Sequence, residues 1–247
     1  MNFNEIPKFV VNLERRPDRL ERIKKEMEYI GWDFELFKAI DKNSYMGISL
    51  STLEILKIAK EKNYPRVMII EDDCCVMPYA KELLSQLESS CEGLEFGILN
   101  LSPTHNRFIN KSTTHELLLD MTNLPPKEEH LRDIYGANMI IYDSSIYDVM
   151  FGIQDHCFQS GEFFYALDDY AFQFVIQKYQ SYCPILPIAP QGNDYSDISQ
   201  GMYNNFYLQT YNWNLYCPIK IPSGFMNQDT NKEMRDKNEH KPFNYVG

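Results

Sequence analysis

Arg66-Val67-Met68-Ile69-Ile70-Glu71-Asp72-Asp73 (RVMIIEDD) decides how this chain is read. Its first part is a short β-branched and apolar run with no polar alternation. That pattern predicts a strand covered on both faces, as in a parallel sheet flanked by helices. Its second part puts three consecutive carboxylates at the strand's carboxyl end, where ligands sit in open α/β sheets. Like charges at that spacing raise one another's pKa and are costly unless a cation offsets them. Mg²⁺ and Mn²⁺ take carboxylate oxygens together with substrate phosphates. Alternation in an extended turn places Glu71 and Asp73 on one side and Asp72 on the other. A solvated acidic turn before the next helix is the plainer alternative.

Upstream, residues 8–13 (KFVVNL) predict a first strand, and Pro17 suits the first turn of a helix. Leu20, Ile23, Met27 and Ile30 follow at helical spacing, with Gly31 as the stop. Residues 34–40 (FELFKAI) alternate like a second strand. Ser49 or Ser51 is the expected cap of a helix over Leu53, Leu56 and Ala59 that ends near Asn63. Downstream, residues 80–87 predict a helix and 96–101 (FGILNL) a strand. Residues 102–132 form a long polar excursion of the kind that serves as a lid or acceptor platform. A strand is expected over 135–142 (YGANMIIY), then a helix capped by Ser144, a helix over 167–179 and a strand over 185–188. The alternation predicts a doubly wound, mostly parallel α/β sheet flanked by helices. Residues 1–198 are read as that domain, and 199–247 as an irregular extension packed on it. The extension's Tyr203, Phe206, Tyr207, Tyr211, Trp213 and Tyr216 suit either packing or stacking on sugar rings.

The 247 residues suffice for one sizeable core, and no Pro/Gly/Ser-rich linker divides them. With 35 acidic against 24 basic residues the net charge is −11, which argues against nucleic-acid partners. Apolar runs such as 67–70 are strand-length, so no transmembrane segment is expected. No secretory leader is visible, and a cytoplasmic location is the expectation. Cys74, Cys75, Cys91, Cys157, Cys183 and Cys217 form no C-x-x-C pair and read as reduced, mostly buried thiols.

Three further groups carry chemistry. Asp168-Asp169 opens the helix of Phe172, Val175 and Ile176; the pair suits dipole partners or a general base. Arg15, Arg16 and Arg19, with Asn12, follow the first strand; the arginines suit either phosphates or pairing with Glu14 and Asp18 on an exposed helix face. Gly136-Ala137 permits close approach of backbone to a ligand, or is ordinary turn punctuation.

Taken in order, these motifs resemble glycosyltransferase family 25, the lipopolysaccharide-biosynthesis and procollagen-galactosyltransferase type, from Phe9 to Ile198. The opening "INL-x-R-R-x-D-R" is matched by Val11-Asn12-Leu13-Glu14-Arg15-Arg16-Pro17-Asp18-Arg19, and "A-[IV]-D" by Ala39-Ile40-Asp41. "G-C-A-L-S-H" corresponds to Gly47-Ile48-Ser49-Leu50-Ser51-Thr52, and "L-E-D-D" to Ile70-Glu71-Asp72-Asp73. Gly136-Ala137, Asp168-Asp169, and Gln191 with Ser196-Asp197-Ile198 complete the series. The resemblance implies a GT-A, Rossmann-like fold and an inverting transfer of galactose or glucose from a UDP-sugar to a glycan or protein hydroxyl. It implies Mn²⁺ (or Mg²⁺) at Glu71 and Asp73, and a base at Asp168 or Asp169. Donor binding would fall to Asn12, Leu13, Arg15, Arg19, Asp41, Ser51, Asp72 and Gly136. One departure stands out: Thr52 replaces the usual histidine, and threonine takes no proton near neutral pH. No histidine lies near Gln191 to serve as a late metal ligand, although Asp194 and Asp197 do. A nucleotidyltransferase is the first alternative, weakened by the absence of glycine after the first strand. A sugar- or nucleotide-binding protein without turnover is the second.

Overall fold

The computed structural model describes residues 1–42, 46–102, 104–105, 117–122, 134–135, 137–160, 174–184, 186–192, 194–196 and 201–203. In chain order the elements are β1 (Lys8–Asn12), α1 (Pro17–Ile30), β2 (Glu35–Lys38), α2 (Met46–Glu61), β3 (Arg66–Glu71), α3 (Ala80–Ser90) and β4 (Ile98–Asn100). There follow β5 (Thr104–His105), β6 (Leu118–Asp120), β7 (Ile134–Tyr135), β8 (Met139–Asp143), α4 (Tyr147–Ser160), β9 (Ser181–Pro184), β10 (Asp194–Ser196) and β11 (Gly201–Tyr203).

Seven strands form one sheet in the order β2-β1-β3-β8-β4-β9-β6. The pairs β1–β2, β1–β3 and β4–β9 are parallel, whereas β8 runs against β3 and β4, and β6 against β9. Most strands therefore point one way, as the alternation predicts, and β8 and β6 point back. From β1 the chain steps outward to β2 and then returns past β1 to β3. Right-handed crossovers in opposite directions put α1 and α2 on opposite faces, so the middle strands are covered on both. That is why β1 is buried throughout and Val67–Ile70 and Met139–Tyr142 are buried too. Each such Val, Ile or Phe contributes about 1.5–3 kcal/mol relative to exposure.

Helix α1 forms where the sequence punctuates it. Pro17 stands at its first position, and Ile23, Glu26 and Met27 turn inward. Gly31 closes it at φ 87°, a left-handed conformation that costs glycine nothing, while the Gly31 and Trp32 amides both donate to Met27 O (2.9 and 3.0 Å).

Several expectations need correction. Helix α2 starts at Met46, so Ser49 and Ser51 lie inside it, both buried, rather than capping it. Tertiary burial outweighs the capping preference of serine there. Asp143, not Ser144, supplies the cap: its side chain accepts from Ser145 N at the head of a 3₁₀ turn (Ser144–Ile146) that precedes α4. The last expected strand lies earlier, at β9, and 186–189 form no strand. Its sequence SYCP lacks the apolar run that marks a central strand, yet every one of its residues is buried. The polar excursion of 102–132 hides β6, whose Leu118 and Leu119 are buried at the far edge of the sheet. The strand expected over 135–142 is two, β7 and β8.

Cys74, Cys75, Cys91 and Cys183 are buried and form no disulfides; Cys217 and the Cys157 side chain lie outside the described residues. So do residues 167–173 of the expected helix, and 204–247 of the extension with all its aromatics except Tyr203. β10 and β11 pair across the boundary expected at 198–199. Among the described residues no helix is long and apolar enough to cross a membrane.

Candidate active site

Parallel pairing in register sets the site. Val11 stands opposite Glu71, so the next residues along, Asn12 and Asp72, meet at the carboxyl ends of β1 and β3. Asn12 Nδ2 donates to Asp72 Oδ2 (2.6 Å) and to Arg16 O (3.1 Å), tying the end of β1 to the start of α1. From the first turn of α1, Arg19 Nη1 donates to Asp72 Oδ1 at 3.0 Å and lies 3.5 Å from Asp73 Oδ2. One turn on, Arg22 Nη2 reaches Asp72 O at 3.4 Å. Asp73 turns the other way: Asn138 Nδ2 donates to its Oδ1 (3.0 Å) and Gln191 Nε2 to its Oδ2 (2.9 Å). Asp72 thus meets β1 and α1, and Asp73 meets Asn138 and Gln191 while staying within reach of Arg19.

Backbone hydrogen bonds lock the acidic turn. Glu71 N donates to Asn138 O (2.8 Å), and Cys74 N closes the turn onto Glu71 O (3.3 Å). The segment 188–192 runs alongside, with Cys75 N to Pro190 O (2.8 Å) and Gly192 N to Asp73 O (2.7 Å). A Cβ at Gly192 would stand 3.2 Å from Asp73 O, a tight contact that the two backbones would have to ease by a few tenths of an ångström.

Asp72 and Asp73 are buried at 6% and 5% exposure, as are Asn12, Arg19 and Asn138. Glu71 is half-buried. Burial pushes the Asp72 carboxyl up to about 6; Asp73 adds to the rise, while Arg19 and Asn12 oppose it. Burial also holds the Cys74 thiol well above its ordinary value, reinforced by Asp73 and Glu71, so it stays protonated and is no nucleophile at neutral pH.

The sequence candidates divide into three groups. Asn12, Arg19, Asp72 and Asp73 meet in one cluster, with Glu71 at its edge. Arg15 and Asp41 form an exposed ion pair beyond it, and Arg16 pairs with Asp18 (2.9 Å). Leu13 is half-buried in the turn that Arg16 N closes onto its carbonyl (2.8 Å). Ser51 Oγ accepts from Ile40 N (2.9 Å) and donates to Gly47 O (2.8 Å), fixing the chain after β2 against α2. Gly47 is required there, since a Cβ would fall 2.7 Å from Ile40 O. Thr52 is buried beside Ser51 in α2. Gly136, Asp168, Asp169, Asp197 and the Asp194 side chain lie outside the described residues.

Asn138 and Arg22 escaped the sequence reading. Asn138 had one signal, a polar residue at the mouth of the apolar run Met139–Tyr142; Arg22 had none.

The sequence model of glycosyltransferase family 25 (LPS biosynthesis protein) matches residues 5–52, which span β1, α1, β2 and the first part of α2. The chain resembles glycosyltransferase family 25. The match takes in Asn12, Arg15, Arg19, Asp41 and Ser51, and ends before the acidic turn. It supports a transferase of the glycosyltransferase kind. Among curated proteins no sequence matches this chain at a significant level. Of solved structures, a glycosyltransferase involved in the glycosylation of the major capsid of PBCV-1 is similar at 10% identity and a TM-score of 0.46, over 75% of this chain and 92% of that one. The inositol-1-phosphate CTP transferase from T. maritima is similar at 13% identity and a TM-score of 0.37, over 85% of this chain and 78% of that one.

Proposed function

We propose that this chain is an inverting, metal-dependent glycosyltransferase. It moves galactose or glucose from a UDP-sugar to a hydroxyl of a glycan or protein. The observation that carries this reading is the burial of Asp72 and Asp73 together at the carboxyl ends of β1 and β3, the ligand-binding edge of such a sheet. The family resemblance over residues 5–52 supplies the reaction class.

The donor set suits Mn²⁺ or Mg²⁺. Burial raises the Asp72 carboxyl to about 6 even with Arg19 against it, and the neighbouring Asp73 adds to the rise. Carboxylate oxygens are the donors these hard ions take. Among the described residues no three His, Cys, Asp or Glu side chains come together as a cage. An ion here would therefore be held by one or two carboxylates and completed by substrate phosphates. Glu71 and Asp73 would hold it, and Asp72 would meet a ribose or sugar hydroxyl. The ion, when bound, offsets the charge left on the departing diphosphate.

The chain's own groups do the rest. Arg19, and Arg15 at the rim, present guanidinium donors to the phosphates. Asp168 or Asp169 takes the proton from the acceptor hydroxyl as it attacks the anomeric carbon. A nucleotidyltransferase would instead place a glycine-rich phosphate loop after β1, where Leu13-Glu14-Arg15-Arg16-Pro17 runs without glycine.

Calorimetric titration of UDP with and without Mn²⁺, followed by a screen of UDP-sugars for UDP release, tests the reading. Metal-dependent UDP binding and release from one donor is the expected result. Binding without release from any donor would favour a protein that holds the nucleotide and does not turn it over. No UDP binding under either condition would overturn the donor assignment.

A further inference from the structure

Asp73 is gripped in a way Asp72 is not. Its two oxygens are held by two different amides, Asn138 on Oδ1 at 3.0 Å and Gln191 on Oδ2 at 2.9 Å. A single donor would leave the carboxylate free to swivel about its Cβ–Cγ bond; donors on both oxygens fix its plane. Each carboxylate oxygen has two lone-pair sites, so the Asn138 amide leaves accepting capacity on Oδ1, while Oδ2 takes Gln191 and lies 3.5 Å from Arg19 Nη1. Both amide donors are neutral. They orient the group without bringing a charge of their own; the nearby cation, Arg19, lies closer to Asp72, its Nη1 being 3.0 Å from Asp72 Oδ1 and 3.5 Å from Asp73 Oδ2.

The cost of this arrangement points the same way. Asn138 is 2% exposed, immediately before the buried run Met139–Tyr142. A buried amide costs about 1–3 kcal/mol if left unpaired, so an apolar residue would be the safer choice for the fold alone. Asn138 grips the turn at three points: its side chain on Asp73, and its carbonyl accepting from Glu71 N (2.8 Å) and Cys74 Sγ (3.0 Å). Gln191 arrives from the opposite side on a segment pressed to the turn by Gly192 N (2.7 Å to Asp73 O).

We propose that Asn138 and Gln191 are positioning residues that hold the Asp73 carboxylate in the orientation in which it takes a divalent cation. This rests on the metal-dependent reading above and assigns the cation to Asp73 rather than to Asp72, which Arg19 approaches more closely. Partners that orient a metal-binding side chain typically contribute 10- to 100-fold in metal affinity.

The test is Mn²⁺ binding to the full chain with UDP present, followed by electron paramagnetic resonance, for wild type, Asn138→Ala and Gln191→Ala. Each substitution should weaken Mn²⁺ binding about 10- to 100-fold and broaden the bound-ion spectrum. UDP affinity without metal should stay within about twofold, since neither residue would touch the nucleotide; a merely structural defect would move both. Folded variants that bind Mn²⁺ as wild type does would overturn the positioning role and leave the metal reading standing. A wild type that takes up no Mn²⁺, with or without UDP, would overturn both. Should Asn138→Ala fail to fold, Gln191→Ala decides, because Gln191 is only half-buried.

Discussion

The central strands bury charge at both ends, and the two ends treat it differently. At the amino end each cation has its own set of partners. Lys8 Nζ donates to Phe3 O (2.7 Å), Ile6 O (2.8 Å) and Asn4 O (3.3 Å) and stands 5.1 Å from the Trp32 ring centre. Arg66 donates to Asp143 (3.1 Å) and Leu94 O (3.3 Å) and stacks over Phe96 at 4.6 Å. At the carboxyl end, three acids follow one another in sequence, and Asp72 and Asp73 share the reach of Arg19. Charges with dedicated partners make a closed structural joint. Like charges buried side by side are costly to the fold, and a fold tolerates them where function needs them.

The largest effect should come from removing one acid. On the proposed reading, Asp73→Ala should lower sugar transfer about a thousandfold, read as UDP release, because it deletes a carboxylate that would hold the cation against the donor diphosphate. Its melting temperature should change little, since relief of carboxylate repulsion offsets the two amides left without their acceptor, and Arg19 keeps Asp72 as its partner. Retained turnover would place the chemistry elsewhere and break the contrast between the two ends.

The ends should also respond to pH with opposite sign. Burial lowers Lys8 from 10.5 to about 8, with Asp33 opposing. The unfolded chain then holds that proton more tightly than the folded one. The cost is fully present below pH 8 and is relieved as pH rises from about 8 to 10.5, a swing of about 3 kcal/mol. Urea unfolding of wild type and Lys8→Met should show it: wild type gains on the variant across that window. A flat difference would mean that the three carbonyls and the Trp32 face fully offset the burial.

Asp72 runs the other way. Its folded value, about 6 against 3.8, means the native state holds the proton more tightly. Stability is lost as pH rises from about 4 to 6. Asp72→Asn should therefore gain on wild type through that window, by somewhat less than the Lys8 swing, because the shift is smaller. Gain in the reverse direction would show that Arg19 outweighs burial and that this carboxylate is a structural ion pair like those at the amino end.

What was legible in the sequence follows the same division. β1, β3 and α1 announce themselves locally, through all-apolar runs, Pro17 at a helix start and Gly31 at its end. The acidic turn is local too, three letters at the end of one strand. Its partners are not. Asn138 and Gln191 reach Asp73 from 65 and 118 residues away, and no period or spacing encodes a contact that only the sheet order creates. β6 and β9 escaped for a related reason: LLD and SYCP are too short and too polar to signal strands, and their burial comes from neighbours. Ser51 shows propensity overruled, a residue that reads as a cap and serves instead as a buried link between Ile40 and Gly47.

The smallest effect on the fold should come from Arg15, and it sharpens the comparison most finely. Arg15 and Asp41 pair at the rim of the carboxyl end with about half of each side chain in solvent. An exposed pair of this kind contributes roughly 0–1 kcal/mol, so Arg15→Gln should leave the urea midpoint nearly unchanged. If the rim guanidinium serves the nucleotide's phosphates, UDP affinity should fall about tenfold in the same variant, the scale of one charge-assisted hydrogen bond. The two readouts separate the roles: lost affinity with unchanged stability assigns Arg15 to the ligand. Unchanged affinity confines it to Asp41, and the functional end of the sheet then stops at the buried cluster of Asn12, Arg19, Asp72 and Asp73.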